Sequence, residues 1–100
     1  ENIEIRRASM MVIANSSSDS GNAATLLNKS YIESLVITLS RSTDMVLVDY
    51  LMMFFHNLCK LDTKAGSMMI RCGWEKHMFT YDRLESLSIT SAIYLCDTCR

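Results

Sequence analysis

The chain has 100 residues, of which 49% are hydrophobic, and its 10 Lys and Arg residues nearly balance its 11 Asp and Glu residues. This composition indicates one folded domain and excludes a disordered tail. The net charge of -1 excludes the basic surplus on which nonspecific nucleic-acid binding depends, so we expect no nucleic-acid partner. Because proline is absent and glycine occurs three times, the composition favours long helices over turn-rich β structure, and we expect an all-α fold.

Short polar or glycine-containing segments divide the chain into predicted helices of about 8 to 15 residues each. In chain order, these breaks are Asn15 to Asn22, Ser40 to Asp44, Leu61 to Gly66, Cys72 to Gly73, and Asp82 to Ser86. Ser42, Thr43 and Asp44 offer N-cap chemistry for the helix that follows them. Gly73 suits the position just after a helix end, where the backbone often turns left-handed.

Apolar residues recur at helical spacing in two of the predicted helices. The helix after Asp44 carries a stripe, here called the core stripe, made of Leu47, Leu51, Phe54 and Leu58. Ile5, Ala8 and Val12 predict a second core-facing stripe in the first helix. The longest apolar run, Met45 to Phe55, contains Asp49 and is much shorter than the roughly 20 residues of a transmembrane helix, so we expect no membrane span.

Four cysteines leave three interpretations open. They are Cys59, Cys72, Cys96 and Cys99. In an intracellular protein they would be thiols that act as small apolar residues, which is the interpretation we favour. In a secreted protein they would form two disulfides, and Asn15 and Asn28 lie in glycosylation sequons. The Cys96-Asp97-Thr98-Cys99 motif could instead be functional, as half of a zinc site or as a redox pair, although no second motif of this kind accompanies it.

The sequence also repeats itself. The helix that ends at Asn15 can be laid on the helix that ends at Asn57 with a shift of about 42 residues. A further shift of about 41 residues lays that helix on the last segment of the chain and places Tyr94 over Met53. A period of about 41 to 42 residues lies within the range of armadillo and HEAT repeats.

The segment Tyr31 to Leu39, the polar turn at Ser40 to Asp44, and the long apolar helix that ends in Asn57-Leu58 resemble an armadillo repeat. The resemblance implies an all-α solenoid, a right-handed superhelix of stacked helices, of which this chain supplies about two and a third repeats. It divides the chain into residues 1–16 (the third helix of a partial repeat), 22–60 (the central repeat, with a first helix at 22–27) and 62–100 (the last repeat). The three helices of the last repeat would be Lys64 to Cys72, Gly73 to Tyr81, and Arg83 to Cys99.

The resemblance also implies a binding surface, because the third helices of armadillo proteins line a concave groove that holds an extended peptide. An asparagine in these helices bonds to the peptide main chain, since its amide offers both a donor and an acceptor. The candidate partner-binding residues are Arg7, Met11, Asn15, Asp49, Met53, Asn57 and Tyr94. The nuclear-import branch has tryptophan where this chain has Met11, Met53 and Tyr94, so we expect a groove that tolerates apolar ligands. The alternatives are that the two methionines are buried and that Asn57 bonds to a helix-end carbonyl.

These features predict a protein-interaction scaffold or adaptor rather than an enzyme. The sequence has no Gly-rich phosphate loop, nucleophile elbow or paired histidines, so we expect no catalysis, cofactor or metal. The partners would be a protein or peptide, together with the rest of a longer solenoid or another chain that completes it. The chain begins at Glu1 without an apolar signal segment, which we interpret as a fragment or processed chain of a cytoplasmic or nuclear protein. The alternative is a small secreted helical protein held by disulfides.

Overall fold

The computed structural model describes residues 2–19, 28–61 and 64–98. Of these residues, 84% are helical and none is in a strand, which confirms the all-α class. The helices are α1 (Ile3–Ser16), α2 (Lys29–Arg41), α3 (Met45–Leu61), α4 (Lys64–Arg71), α5 (Trp74–Met78), α6 (Tyr81–Ser86) and α7 (Ile89–Thr98). Within the described ranges, no helix combines the length and hydrophobicity that crossing a bilayer requires. The helix predicted at residues 22–27 lies outside these ranges.

Two of the predicted helix boundaries are confirmed at atomic detail. A carboxylate oxygen of Asp44 accepts a hydrogen bond from the backbone N–H of Leu47 at 2.8 Å, and so Asp44 is the N-cap of α3. Gly73 follows α4 with φ of 90°, the left-handed conformation, and its N–H donates to the carbonyl of Ile70 at 3.0 Å. Only glycine adopts this φ without strain. Gly73 therefore allows the backbone to turn sharply between the end of α4 and the start of α5.

Helix α3 is the centre of the hydrophobic core. All four residues of its core stripe are buried, as predicted. A chain of edge-to-face ring contacts runs from Tyr31 through Phe54 and Phe55 to Trp74, with centroids 5.0 to 6.3 Å apart. Because these rings belong to α2, α3 and α5, they join the three helices through one aromatic cluster.

The helices are arranged with α3 packed between α1 and α7, while α2 packs against α4 and α5. Near its start, α3 contacts the first half of α1 through Asp44 and Arg7, and near its end it contacts the last residues of α1 through Asn57. Asp49 of α3 likewise contacts the start of α7, and His56 contacts Asp97 at its end. Helices α1, α3 and α7 therefore run parallel to one another.

The second predicted core stripe is wrong. Ile5 is 64% exposed, Val12 is 59% exposed, and Ala8 is exposed as well. Helix α1 buries Met10 and Ala14 instead, because it meets α3 through the side that also carries Arg7. The apolar spacing identified a real stripe, but this stripe lies on a side of α1 that α3 does not reach.

The break predicted at Asp82 to Ser86 is also wrong, because α6 occupies these residues. The single helix predicted from Arg83 to Cys99 is instead divided into α6 and α7 by Leu87 and Ser88, and Cys99 lies beyond the described residues. Arg83 explains the position of α6, since its guanidinium donates to the carbonyls of Ser40 and Ser42, both at 3.0 Å. These carbonyls end α2, and the resulting burial lowers the pKa of Arg83.

We expect Phe55→Ala to lower the free energy of unfolding by about 3 to 5 kcal/mol, because it leaves a cavity between two aromatic neighbours in the core. Urea unfolding followed by circular dichroism measures the change. Phe79→Ala is the matched control, because Phe79 is 50% exposed and its removal creates no such cavity. An equal loss for the two variants would contradict the central place of the aromatic cluster.

Candidate functional site

The seven predicted partner-binding residues divide into two sets in the structure. Arg7, Asp49 and Asn57 make hydrogen bonds to a neighbouring helix or to the residues that flank it. The other four are Met11, Asn15, Met53 and Tyr94, which lie on the surface or partly buried beneath it. The two sets therefore have different environments, although in the sequence members of both sets follow one another at intervals of four residues along α1 and α3.

Arg7 joins α1 to the start of α3. Its Nε donates to Asp44 Oδ2 at 3.0 Å, and its Nη2 donates to the other carboxylate oxygen. The hydrogen bond from Arg7 and the one from the Leu47 backbone lower the pKa of Asp44 to about 2. The same pairing raises the pKa of Arg7. Asp44 thus acts at once as a helix cap and as the counterion of a neighbouring helix.

Asn57 joins α3 to the end of α1. Its Nδ2 donates to the carbonyl of Ala14 and to Ser17 Oγ, both at 3.2 Å, and Ser17 Oγ donates to the same carbonyl at 2.5 Å. The last four carbonyls of a helix have no partner within the helix, and Ala14 carries one of them. The alternative considered for Asn57, a bond to a helix-end carbonyl, is therefore confirmed.

Asp49 and His56 join α3 to α7. The carboxylate of Asp49 accepts hydrogen bonds from Ser88 Oγ at 2.6 Å and from the buried Ser91 Oγ at 2.5 Å. The His56 ring lies 5.0 Å from the Tyr94 ring, centroid to centroid, and its Nε2 is 3.6 Å from Asp97 Oδ2. Its Nδ1 is buried and has no hydrogen-bond partner among the described residues. Tyr94 is thereby held against α3.

Met53 projects between the two helices that flank α3. Successive residues of a helix are about 100° apart, so residues four positions apart point in similar directions. Asp49 contacts α7 and Asn57 contacts α1, and Met53 lies four residues from each, on the side away from the core stripe. Val46 and Lys60 lie seven residues before and after it, and both are exposed on this same side. Sequence reasoning missed these two residues, although their spacing of one heptad was a usable signal.

The register of the helices brings Met11, Met53 and Tyr94 into one row. Hydrogen bonds between different helices or their flanking residues join positions 37 to 43 apart, and these three residues have a similar spacing. We call this surface the three-helix face. It comprises Met11, Asn15, Val46, Met53, Lys60 and Tyr94. Met11 and Asn15 are exposed, whereas Met53 and Tyr94 pack partly against the core.

A cleft of about 490 Å³ lies where the corner between α2 and α3 meets α5 and α6. Lys76, His77 and Arg83 bring basic groups to it, while Asp49 and Asp82 bring acidic ones. Asp49 is already bonded to serine hydroxyls and Arg83 to backbone carbonyls. Two of the charged groups in the cleft therefore serve the packing of the helices, and the mixture of basic and acidic groups favours no ligand of a single charge.

The cysteines give no metal centre in the described part of the chain. No group of three or more His, Cys, Asp or Glu side chains there could hold a metal ion. Cys72 is buried and Cys96 is exposed, and both are free thiols, while Cys59 Sγ lies 3.4 Å from Met69 Sδ. Burial raises the pKa of the Cys72 thiol, which keeps it protonated and weakly nucleophilic. The fourth cysteine, at position 99, lies outside the described residues.

No protein-family model, curated protein or solved structure matches the chain. Its function must therefore be inferred from the packing of α1, α3 and α7 and from the surface that these helices expose.

We expect the thermal stability to fall as the pH decreases from about 4 to about 2. The carboxyl pKa of Asp44 is about 2 in the folded chain, against an ordinary value of about 3.9 in the unfolded chain. Its ionised form therefore stabilises the fold above about pH 4, and this contribution is lost as the pH falls through 2. Melting followed by circular dichroism measures the effect.

In the same titration, Asp44→Asn should flatten the decline in melting temperature, because it removes the carboxyl that titrates. Asp82→Asn changes an exposed carboxylate and should retain the wild-type decline. If both variants declined in parallel with the wild type, the pairing of Asp44 with Arg7 would not stabilise the fold.

We expect Asn57→Ala to lower the free energy of unfolding by about 1 kcal/mol, because the Ala14 carbonyl loses one of its two partners. Asn15→Ala is the matched control, because the sequence comparison aligns Asn15 with Asn57, and its effect should stay within about 0.5 kcal/mol because Asn15 is exposed. Urea unfolding of both variants decides between a helix-joining and a surface role for Asn57.

Proposed function

We propose that this chain is a segment of an armadillo-like helical solenoid that binds a peptide or an extended segment of a partner protein across the three-helix face. The observation that supports this most directly is the parallel packing of α1, α3 and α7, with contacts between residues 37 to 43 positions apart. Helices joined by short loops in an up-and-down bundle pack antiparallel to their neighbours. Side-by-side parallel packing at the repeat distance is instead typical of stacked repeats.

The helices outside the parallel stack, α2, α4, α5 and α6, support the same assignment. Cys72 Sγ contacts the carbonyl of Lys29 at 3.8 Å, a separation of 43 residues, and Arg83 contacts the end of α2 at separations of 41 and 43 residues. Helices α2 and α5 also pack against each other, at the position where the second helices of adjacent repeats would meet. These separations of 37 to 43 residues are compatible with the period of about 41 to 42 residues predicted from the sequence, which supports the proposal.

The two sets of predicted binding residues then take different roles. Arg7, Asp49 and Asn57 hold neighbouring helices in register. Met11, Asn15, Met53 and Tyr94 make the contacts with the ligand. Methionine side chains adapt to irregular apolar partners, and the exposed amide of Asn15 can both donate to and accept from a peptide main chain. An extended peptide with apolar side chains fits this surface better than a strongly basic one.

In this role the chain is a scaffold or adaptor module of the cytoplasm or nucleus rather than an enzyme. The alternative, a secreted protein with two disulfides, requires all four cysteines to be paired. Cys72 and Cys96 are free thiols, and no observation favours that alternative.

We expect peptides selected from a random 12-residue display library against the wild-type chain to bind at least tenfold more weakly to Met53→Glu, and also to Met11→Glu. Tenfold corresponds to about 1.4 kcal/mol, which is a modest cost for a charge placed at the centre of a contact. Isothermal titration calorimetry with the best-enriched synthetic peptide measures the affinities.

The control is Ile37→Glu, which places the same charge on an exposed residue of α2, outside the three-helix face. It should leave the peptide affinity unchanged. Two results would overturn the proposed function: no enrichment of any peptide sequence, or an equal loss of affinity in the control variant.

A further inference from the structure

The two outer helices of the parallel stack each expose an apolar side. On α1 this side carries Ile5 and Val12, which are 64% and 59% exposed, and we call it the N-end face. On α7 it carries Ile89 and Ile93, which are 83% and 57% exposed, and we call it the C-end face. Isoleucine and valine at this exposure, grouped at helical spacing, are typical of a surface that a partner covers.

The middle helix shows what covers the equivalent positions. A shift of about 42 residues relates Ile5 and Val12 to Leu47 and Phe54 of α3, and both of these are buried. The side of α3 that carries Leu47 and Phe54 is covered by helices that precede α3 in the chain. Tyr31 of α2 packs on Phe54, and α1 packs alongside α3.

The same comparison holds at the other end. A shift of about 41 residues relates Ile89 and Ile93 to Val48 and Met52 of α3, which are buried as well. The helices that follow α3 cover this side, because α7 packs along α3 and Trp74 packs on Phe55. Helix α3 therefore has both of these sides buried, whereas α1 exposes the N-end face and α7 exposes the C-end face.

We propose that a second copy of this chain covers these faces, with α1 of one copy packed parallel to α7 of the next in a head-to-tail stack. This inference rests on the repeat packing of the proposed function. The second copy is the occupant because the new contact continues an interface that the chain already forms twice, between α1 and α3 and between α3 and α7. Each chain carries both of the faces that such a contact requires, the N-end face on α1 and the C-end face on α7.

The geometry also selects head-to-tail over symmetric pairing. A twofold axis would pair the N-end face with itself, whereas the contacts of α3 with α1 and with α7 in the described part of the chain each join unlike faces. A heterologous contact of this kind does not close on itself after two copies. The mean mass should therefore rise steadily with concentration, beyond that of a dimer.

The test is sedimentation velocity of the wild-type chain and of Val12→Glu and Ile93→Glu, which each place a charge on one end face. We expect the wild type to associate with increasing concentration and each variant to be monomeric on its own. An equimolar mixture of the two variants should form a 1:1 heterodimer, because one retains an intact C-end face and the other an intact N-end face. Ile37→Glu, on α2, should associate like the wild type.

Each other outcome overturns the proposal. A wild-type chain that stays monomeric at about 100 μM has no such contact at ordinary protein–protein affinity. Dimers of either variant alone would mean that a face pairs with itself, and a mixture that stays monomeric would mean that the two faces do not match. Ile5→Glu and Ile89→Glu repeat the test at independent positions, and circular dichroism establishes that each variant has retained its helices. The peptide affinity of the monomeric variants separately tests the three-helix face.

Discussion

The structure depends on the need to bury α3, which is apolar around most of its circumference. Seven of its residues are buried: Leu47, Val48, Leu51, Met52, Phe54, Phe55 and Leu58. Such a helix cannot be covered by one neighbour, because each neighbour covers one side. Helices α1 and α7 flank it, and α2 and α5 close the core through the aromatic cluster. In the described part of the chain, the side of α3 that carries Val46, Met53 and Lys60 is covered by none of these helices, and this side forms the centre of the candidate binding surface.

Polar contacts determine how the flanking helices are aligned. Hydrophobic burial is non-directional, so apolar packing alone would let α1 and α7 slide along α3. The ion pair of Arg7 with Asp44 fixes the position of α1 along α3. The hydrogen bonds from the two serine hydroxyls to Asp49 fix the position of α7 along α3. Arg7 and Asp44 are partly exposed, and an ion pair of this kind contributes modestly to stability. Their main effect is to specify which residues of neighbouring helices lie side by side, which in turn forms the row of the three-helix face.

Much of this architecture could be predicted from the sequence. The cap at Asp44, the turn at Gly73 and the core stripe of α3 depend on local chemistry and spacing, which a single chain reveals. The stripe at Ile5 and Val12 was mistaken for core because periodicity identifies an apolar side but not the element that covers it. The role of Asn57 could not be assigned from spacing either, because the carbonyl it bonds to lies 43 residues away.

Asp44 has a consequence for how the chain opens. Its carboxylate is shared between the first turn of α3 and the guanidinium of α1. Detachment of α1 removes the counterion that keeps this carboxylate ordered, and fraying of the first turn of α3 removes the anchor of α1. The two movements are therefore coupled: we expect the amide of Leu47 to exchange with solvent faster once α1 has come away, and the first turn of α3 to fray together with local opening of α1.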